Sequence, residues 1–270
     1  MGVIQLEVLV AIAAQRFDLV ISFDEPQILY KETISNTVTG YGHFEPLKHY
    51  AEVHLLMEPT ARGTGIQFEN RCHADDLSVG HMRLIEQHIF EREHHGLLTG
   101  SSLTDVKFTL LTGRAHQKHT AGGDFREATY RALRQGLEQA ENVLLEPYYN
   151  FKMKASIDLI GRMMNDVQQA NGIFDTPEMT EDTAILTGKV PVATFINYST
   201  TFAAYTNGKG ALTLTIAGYD VCHNREEVMG RICYDKNADP EYTSSSMFCA
   251  KGSGYSVPWD EAKAAMHCLK

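Results

Sequence analysis

Between Tyr148 and Tyr219 the spacing of apolar residues switches between the two-residue period of a strand and the 3.6-residue period of a helix, in an order that few folds accommodate. Residues 149–154 read as a strand and 158–170 as a helix stopped by Gly172. Residues 173–176 and 184–190 read as two strands, 193–205 as a second helix and 211–217 as a fourth strand. That succession, β-α-β-β-α-β, is the split, ferredoxin-like unit. It sets a local architecture and leaves function open, because one such unit hosts many activities.

Upstream, residues 3–17 are nearly continuous in apolar side chains (Val3, Ile4, Leu6, Val8, Leu9, Val10, Ile12) and predict a buried helix. Strands are predicted at 18–23 and 28–34 around the turn signal Asp24-Glu25-Pro26. One helix and two strands bury too little surface to fold alone, so this part reads as the end of a larger domain. From residue 40 to 149 strands and helices alternate. Residues 49–58 predict a half-buried strand, with Ala51, Val53, Leu55 and Met57 on the covered side and Tyr50, Glu52 and His54 on the other. A strand at 66–73, a helix at 78–95 and a strand at 103–111 follow. Asp124-x-x-Glu127 predicts a capping box opening a helix whose apolar face includes Phe125, Ala128, Ala132, Leu133 and Leu137. Beyond Tyr219 the chain is rich in Gly, Ser, Asn and charge until a short amphipathic helix at 257–268. This tail is predicted to pack on the ferredoxin-like unit that precedes it. The fold class is α+β, multidomain and elongated.

Composition narrows the function. With 43% hydrophobic residues the chain can build real cores, and with 24 basic against 34 acidic side chains (net −10) it is no general coat for nucleic acid. No apolar run is long enough for a membrane span and no basic-then-apolar leader is present, so the cytoplasm is the predicted location. Five cysteines without a C-x-x-C suit free thiols. Twelve histidines raise a metal or small-molecule module as a competing reading, centred on His94, His95, His116 and His119. No H-E-x-x-H occurs, and His94-His95 has no carboxylate at ligand spacing, so solvated histidines and no metal are predicted. The phosphate-loop, nucleophile-elbow and dinucleotide motifs are all absent, and no residue is predicted to be catalytic.

One segment breaks the acidic rule. Residues 107–134 hold Lys107, Arg114, Lys118, Arg126, Arg131 and Arg134 against Asp124 and Glu127, with His116 and His119 besides. Residues 113–123 form a long polar loop between a strand and a helix, of a kind that serves binding or is simply solvated. In a phosphate-lined cleft its cations and imidazoles would gain energy that the rest of the surface forfeits.

Several short motifs occur in the order found in translational GTPases. They are Glu25-Pro26-x-x-x-Tyr30-x-Glu32, Glu58-Pro59 followed by Gly63-Thr-Gly65-x-Gln67-x-Glu69, Asp124-Phe125-Arg126, and Leu144-Leu145-Glu146-Pro147-Tyr148. Gly188-x-Val190-Pro191, Thr206-Asn-Gly-Lys-Gly210 and Gly218-Tyr219 continue the series. Over roughly residues 3–219 the chain resembles the C-terminal half of elongation factor G, and more closely the tetracycline-resistance ribosomal protection proteins of the TetM and TetO type. The resemblance implies that residues 1–37 are the end of a domain III, and that 38–149 are a domain IV (ribosomal protein S5 domain 2-like) with a left-handed βαβ crossover and residues 113–123 as its tip. It implies a domain V of ferredoxin fold at 150–221; residues 222–270 are a C-terminal extension. Domain IV then reaches the A site on the small side of the ribosome, whereas domain V reaches the GTPase-associated centre on the large side. Arg114, His116, Gln117, Lys118 and His119 are the implied contacts to small-subunit rRNA. Lys209 is a candidate contact to the large subunit, in a sequence that also reads as an ordinary turn. The implied activity is ribosome binding that displaces or excludes tetracycline. The alternative is an elongation factor G-like paralogue acting in translocation or rescue without resistance. The chain is expected to be a monomer, not itself an enzyme and without a cofactor; GTP and Mg²⁺ would belong to a G domain outside it.

Overall fold

The computed structural model describes residues 3–24 and 26–269, the first three of these by backbone alone, so Glu25 of the quoted motifs lies outside the described residues. In chain order the first elements are α1 (Val3–Phe17), β1 (Lys31–Ile34), β2 (Val38–Phe44), β3 (Ala51–Pro59), β4 (Ile66–Asn70), α2 (Val79–Phe90), β5 (Ser102–Leu103), β6 (Val106–Ala115), α3 (Asp124–Gln139) and β7 (Asn142–Ser156). The second half continues with α4 (Ile160–Gln169), β8 (Ile173–Phe174), β9 (Glu178–Met179), β10 (Thr183–Pro191), α5 (Val192–Phe195), α6 (Tyr198–Tyr205) and β11 (Ala211–Val221). It ends with α7 (Arg225–Ile232), β12 (Ser246–Ala250), β13 (Ser253–Val257) and α8 (Trp259–Ala265).

The ferredoxin-like unit is present. Its strands lie in the order β11-β7-β10-β8, each antiparallel to its neighbour. Strict alternation in β7 buries Phe151, Met153 and Ala155 and exposes Lys152, Lys154 and Ser156. Met163 and Val167, one turn apart on α4, close over that face with Phe195 and Phe202. The strand β7 runs unbroken through residues 149 and 150, and its first half pairs with β1, which pairs in turn with β5. The paired part of the predicted 28–34 strand is thus its last four residues, and residues 18–23 form no strand. The helix α1 is where periodicity put it, yet Val8, Leu9, Val10, Ile12 and Phe17 are exposed and not buried as predicted, and α1 contributes to none of the hydrophobic cores among the described residues.

A second sheet, ordered β13-β12-β2-β3-β6-β4, is antiparallel from β2 to β6 and parallel between β6 and β4, which are joined through α2. The helices α2 and α3 cover one side of it. There Val53, Leu55, Met57, Phe108 and Leu110 meet Ile85, Ile89, Phe125, Ala128, Ala132 and Leu133, all fully or nearly fully buried. The axis of α3 comes close because β2 presents Gly40 and Gly42 to it; a Cβ at either would overlap the carbonyl oxygen of Ala132 or Ala128.

The opposite side of this sheet is where prediction and structure part. The strand β3 is buried on both faces, with Glu52 and His54 as inaccessible as Val53 and Leu55. The cover is the last part of the C-terminal extension, from β12 onward, which packs here and not on the ferredoxin-like unit; the first part, with Cys222 and Val228 of α7, packs against Leu144 of β7. Its hairpin β12-β13 joins the edge of β2, and Phe248, Val257, Ala262 and Met266 form a core with Tyr41. Gln135 on α3 donates to the carbonyl of Trp259 at 2.9 Å and accepts from the backbone N–H of Tyr41 at 2.9 Å, tying the three parts together. Among the described residues no helix is long and apolar enough to cross a membrane.

Replacing Gly42 with Ala is expected to cost about 2 kcal/mol of stability, because the added methyl meets backbone and not a movable side chain. Urea denaturation of the G42A chain checks this, with Gly65→Ala marking the cost of a glycine at positive φ where nothing lies within 4 Å.

Candidate nucleic-acid interface

The strand β6 extends past its predicted end to Ala115, so the loop proper is residues 116–123. It is a tight structure. The hydroxyl of Thr120 accepts the His116 N–H at 2.7 Å and donates to the Tyr50 carbonyl at 2.6 Å. The N–H of Lys118 donates to Nδ1 of His116 at 3.2 Å, which leaves the proton of the neutral ring on Nε2, facing outward. Asp124 does not build the predicted capping box: the N-cap is Gly123 at φ 101°. The Asp124 carboxylate turns back instead, accepting from the Ala121 N–H at 2.8 Å and from His49 Nδ1 at 2.7 Å. The loop is therefore stitched at both ends, and Arg114, His116, Gln117, Lys118 and His119 all remain exposed. His116 and His119 stack at 4.5 Å.

The wider basic segment does not converge. Lys107 pairs with Glu69, Arg126 with Glu91 at 2.7 Å and Arg131 with Glu127 at 3.2 Å. Arg134 is buried, bonds the Lys236 carbonyl and lies over the Tyr242 ring. Among the described residues only Arg114 and Lys118 of the six are without an ion pair and exposed, so the cationic surplus is narrower than composition implied. Lys209 is exposed too, but in the turn between α6 and β11 on the other sheet.

Two residues that sequence reasoning missed stand beside the loop. Tyr50 and His267 line, with Arg114, His116, Gln117 and Lys118, an open cleft of about 530 Å³. The Tyr50 hydroxyl and His267 Nδ1 are hydrogen-bonded at 2.9 Å. His267 is held there by Glu52, directly across the ladder from Arg114. The Glu52 carboxylate accepts from His43 Nδ1 at 2.9 Å, from His54 Nε2 at 2.8 Å and from the backbone N–H groups of His267 and Cys268 at 2.8 Å each. Burial alone would raise its pKa; these four donors reverse that and hold it well below the usual carboxylate range. Burial and the adjacent Glu52 push the Cys268 thiol up to about 12. No local signal in the sequence points to His267, 217 positions from Tyr50.

His43, Glu52 and His267, and likewise Glu52, His54 and Cys268, bring ligand-type atoms within 4.8 Å of one another. Both Glu52 oxygens already accept two hydrogen bonds, so a cation there would have to break the tie to the tail. His94, predicted to be solvated, is buried against the Ile89 carbonyl at 2.9 Å, and burial lowers its pKa to about 4. His95 bonds the Gly100 carbonyl at 2.9 Å.

Residues 26–141 match the family described as elongation factor G, domain IV, and residues 143–228 the elongation factor G C-terminus, the two meeting where β7 begins. The chain is homologous to elongation factor G. Elongation factor G 1 of Syntrophomonas wolfei subsp. wolfei is 30% identical over 227 residues, covering 83% of this chain and 33% of that protein. Elongation factor G of Aquifex pyrophilus is 26% identical over 236 residues, covering 85% and 34%. A crystal structure of a Thermus thermophilus protein superposes with a TM-score of 0.74 at 24% identity over 87% of this chain and 36% of that one, which shows the same fold. The chain spans about a third of the length of these relatives. The strands β1 to β11 thus lie in the segments that match elongation factor G domain IV and C-terminus, whereas β12 and β13, which complete the second sheet, and α8 lie beyond the matched residues.

Glu52→Gln is expected to lower stability at pH 7 by about 3 kcal/mol, since it removes the charge that two buried imidazoles and two amides face. A depressed carboxylate pKa stabilises fully above the ordinary carboxylate value and is lost as pH falls below it. Denaturation at pH 7 and pH 3 should therefore show the gap between native and E52Q chains shrinking; a constant gap would refute the assignment. In an NMR titration the His94 ring should stay neutral until about pH 4.

Proposed function

We propose that this chain is the ribosome-binding part of a translational GTPase, and that the exposed end of β6 and the following loop enter the A site of the small ribosomal subunit. The observation that carries this reading is the pairing of an elongation factor G domain IV frame with a stitched, solvent-facing loop presenting Arg114, His116, Gln117, Lys118 and His119. The cations suit phosphate oxygens, and the imidazoles and the amide suit base edges. Lys209, exposed on domain V, is the proposed contact to the large subunit near its GTPase-associated centre. Domains IV and V hold no catalytic group on this reading; GTP and Mg²⁺ would act in another part of the parent protein and set domain IV in place.

Two actions at the A site fit this arrangement equally: displacement or exclusion of tetracycline, and translocation or rescue without it. The part of the extension beyond residue 228 lies outside the matched residues and brings His267 beside the loop. Growth in tetracycline of a sensitive host carrying the full-length gene separates the two readings: protection supports drug displacement, and its absence assigns the protein to translocation or rescue.

Replacing Arg114, His116, Lys118 and His119 together with Ser is expected to weaken ribosome binding at least tenfold. The slope of log affinity against log salt should fall by roughly 1.5, for two lost phosphate contacts. Unchanged co-sedimentation of the fourfold variant with ribosomes would sink the proposed contact surface.

A further inference from the structure

The cleft between the loop and the chain terminus has a chemistry of its own. Its walls are the rings of Tyr50, His116 and His267, the guanidinium of Arg114, the amide of Gln117 and the ammonium of Lys118. Among the described residues no carboxylate lines it, in a chain whose acids outnumber its bases by ten; Glu52 is fully buried beneath it. The Tyr50 and His267 rings lie nearly parallel, 19° apart with centroids at 5.8 Å, and the His116 ring is tilted 54° to Tyr50 at 6.1 Å. Its volume of about 530 Å³ falls within the roughly 300–1,000 Å³ typical of sites for single small molecules. A double helix is too broad for it, and an acidic peptide would leave the aromatic faces unused.

We infer that this cleft is a pocket for one unpaired RNA base, stacked against the His116 and His267 rings, with Tyr50 buried behind them as the support that fixes His267, and with its flanking phosphates on Lys118 and Arg114. Stacking tolerates any base, while the exposed amide of Gln117 supplies an edge contact. The third wall exists only because the tail is fastened. Glu52 accepts both terminal amides, the Tyr50 hydroxyl meets the His267 ring, and Phe248 stacks on His43 at 4.1 Å to seat the extension against β2. The extension thereby converts an exposed loop into a concave site. This rests on the proposed ribosomal role and adds to it the substrate form: a base extruded from pairing, in ribosomal RNA or in bound transfer or messenger RNA.

The test uses the whole chain and two fluorescein-labelled probes, hexa-adenylate RNA and the same ribose-phosphate backbone without bases. Hexa-adenylate should bind at least tenfold more tightly in anisotropy titrations. His116→Ala and His267→Ala should each remove about tenfold of that preference while leaving the salt slope unchanged. Lys118→Ala should weaken both probes alike and lower the slope by about 0.7. Lys152→Ala, at an exposed position of β7 that has no part in either proposed contact, should change neither. Equal affinity of the native chain for the two probes overturns the pocket, a result that needs no variant to fold. Base-dependent binding of the probes without any binding to ribosomes keeps the pocket and rejects the ribosomal role. With small subunits, loss of chemical reactivity at a ribosomal base when they are vacant assigns the base to ribosomal RNA. Loss only after messenger and transfer RNA are added assigns it to those.

Discussion

A single buried carboxylate, Glu52, organises the end of the molecule where function is proposed. Taking a carboxylate out of water costs several kcal/mol unless donors surround it, and here four do, from β2, from β3 and from two consecutive amides of the chain terminus. The arrangement is reciprocal. Without the tail the carboxylate would lose two partners and gain solvent on one side; without the carboxylate the tail would keep only the Tyr50 hydroxyl and the buried Met266 to hold its last described turn. The extension is therefore part of the domain IV fold, and the strand that carries Glu52 is the same one that pairs with Arg114 at the edge of the cleft.

Charge is distributed to match. Most basic side chains of the segment that looked cationic in sequence are spent on neighbours: Lys107 on Glu69, Arg126 on Glu91, Arg131 on Glu127, and Arg134 inside the seam with the extension. What reaches solvent is a small set, Arg114 and Lys118 flanked by imidazoles, on a molecule that is otherwise acidic. On a chain of net charge −10, local cations of this kind draw a polyanion to the places that carry them.

The sheet of the ferredoxin-like unit extends beyond that unit. The strand β7 starts beside β1, which lies in the segment before it, and continues as the first strand of the ferredoxin-like unit, with β11 along its other edge. A continuous strand transmits position better than a flexible link does, which suits domains of an elongation factor G homologue that would have to hold a loop at a fixed reach.

Short-range pattern made a large part of this legible. The period-two run Phe151, Met153, Ala155 and the one-turn pair Met163 and Val167 are sufficient to place a strand and a helix, because side chains on one face of such elements must share one core. The helix α3 and the exposed loop before it were readable for the same reason. The two-sided burial of β3 was not, since Tyr50, Glu52 and His54 look like any polar face until a distant segment covers them. The exposure of α1 was likewise hidden, because apolar periodicity states which face seeks cover and not whether cover arrives. Sequence by itself determined the ferredoxin-like order, the helices α2 and α3 and the loop residues, which depend on neighbours within a few positions; the strand β2 and the hairpin β12-β13, weakly patterned, were not legible, and residues 18–23 form no strand. Only the tertiary structure decided that the last turn of the chain closes on Glu52 and sets His267 beside Tyr50, because a contact across 217 residues leaves no periodic trace along the chain.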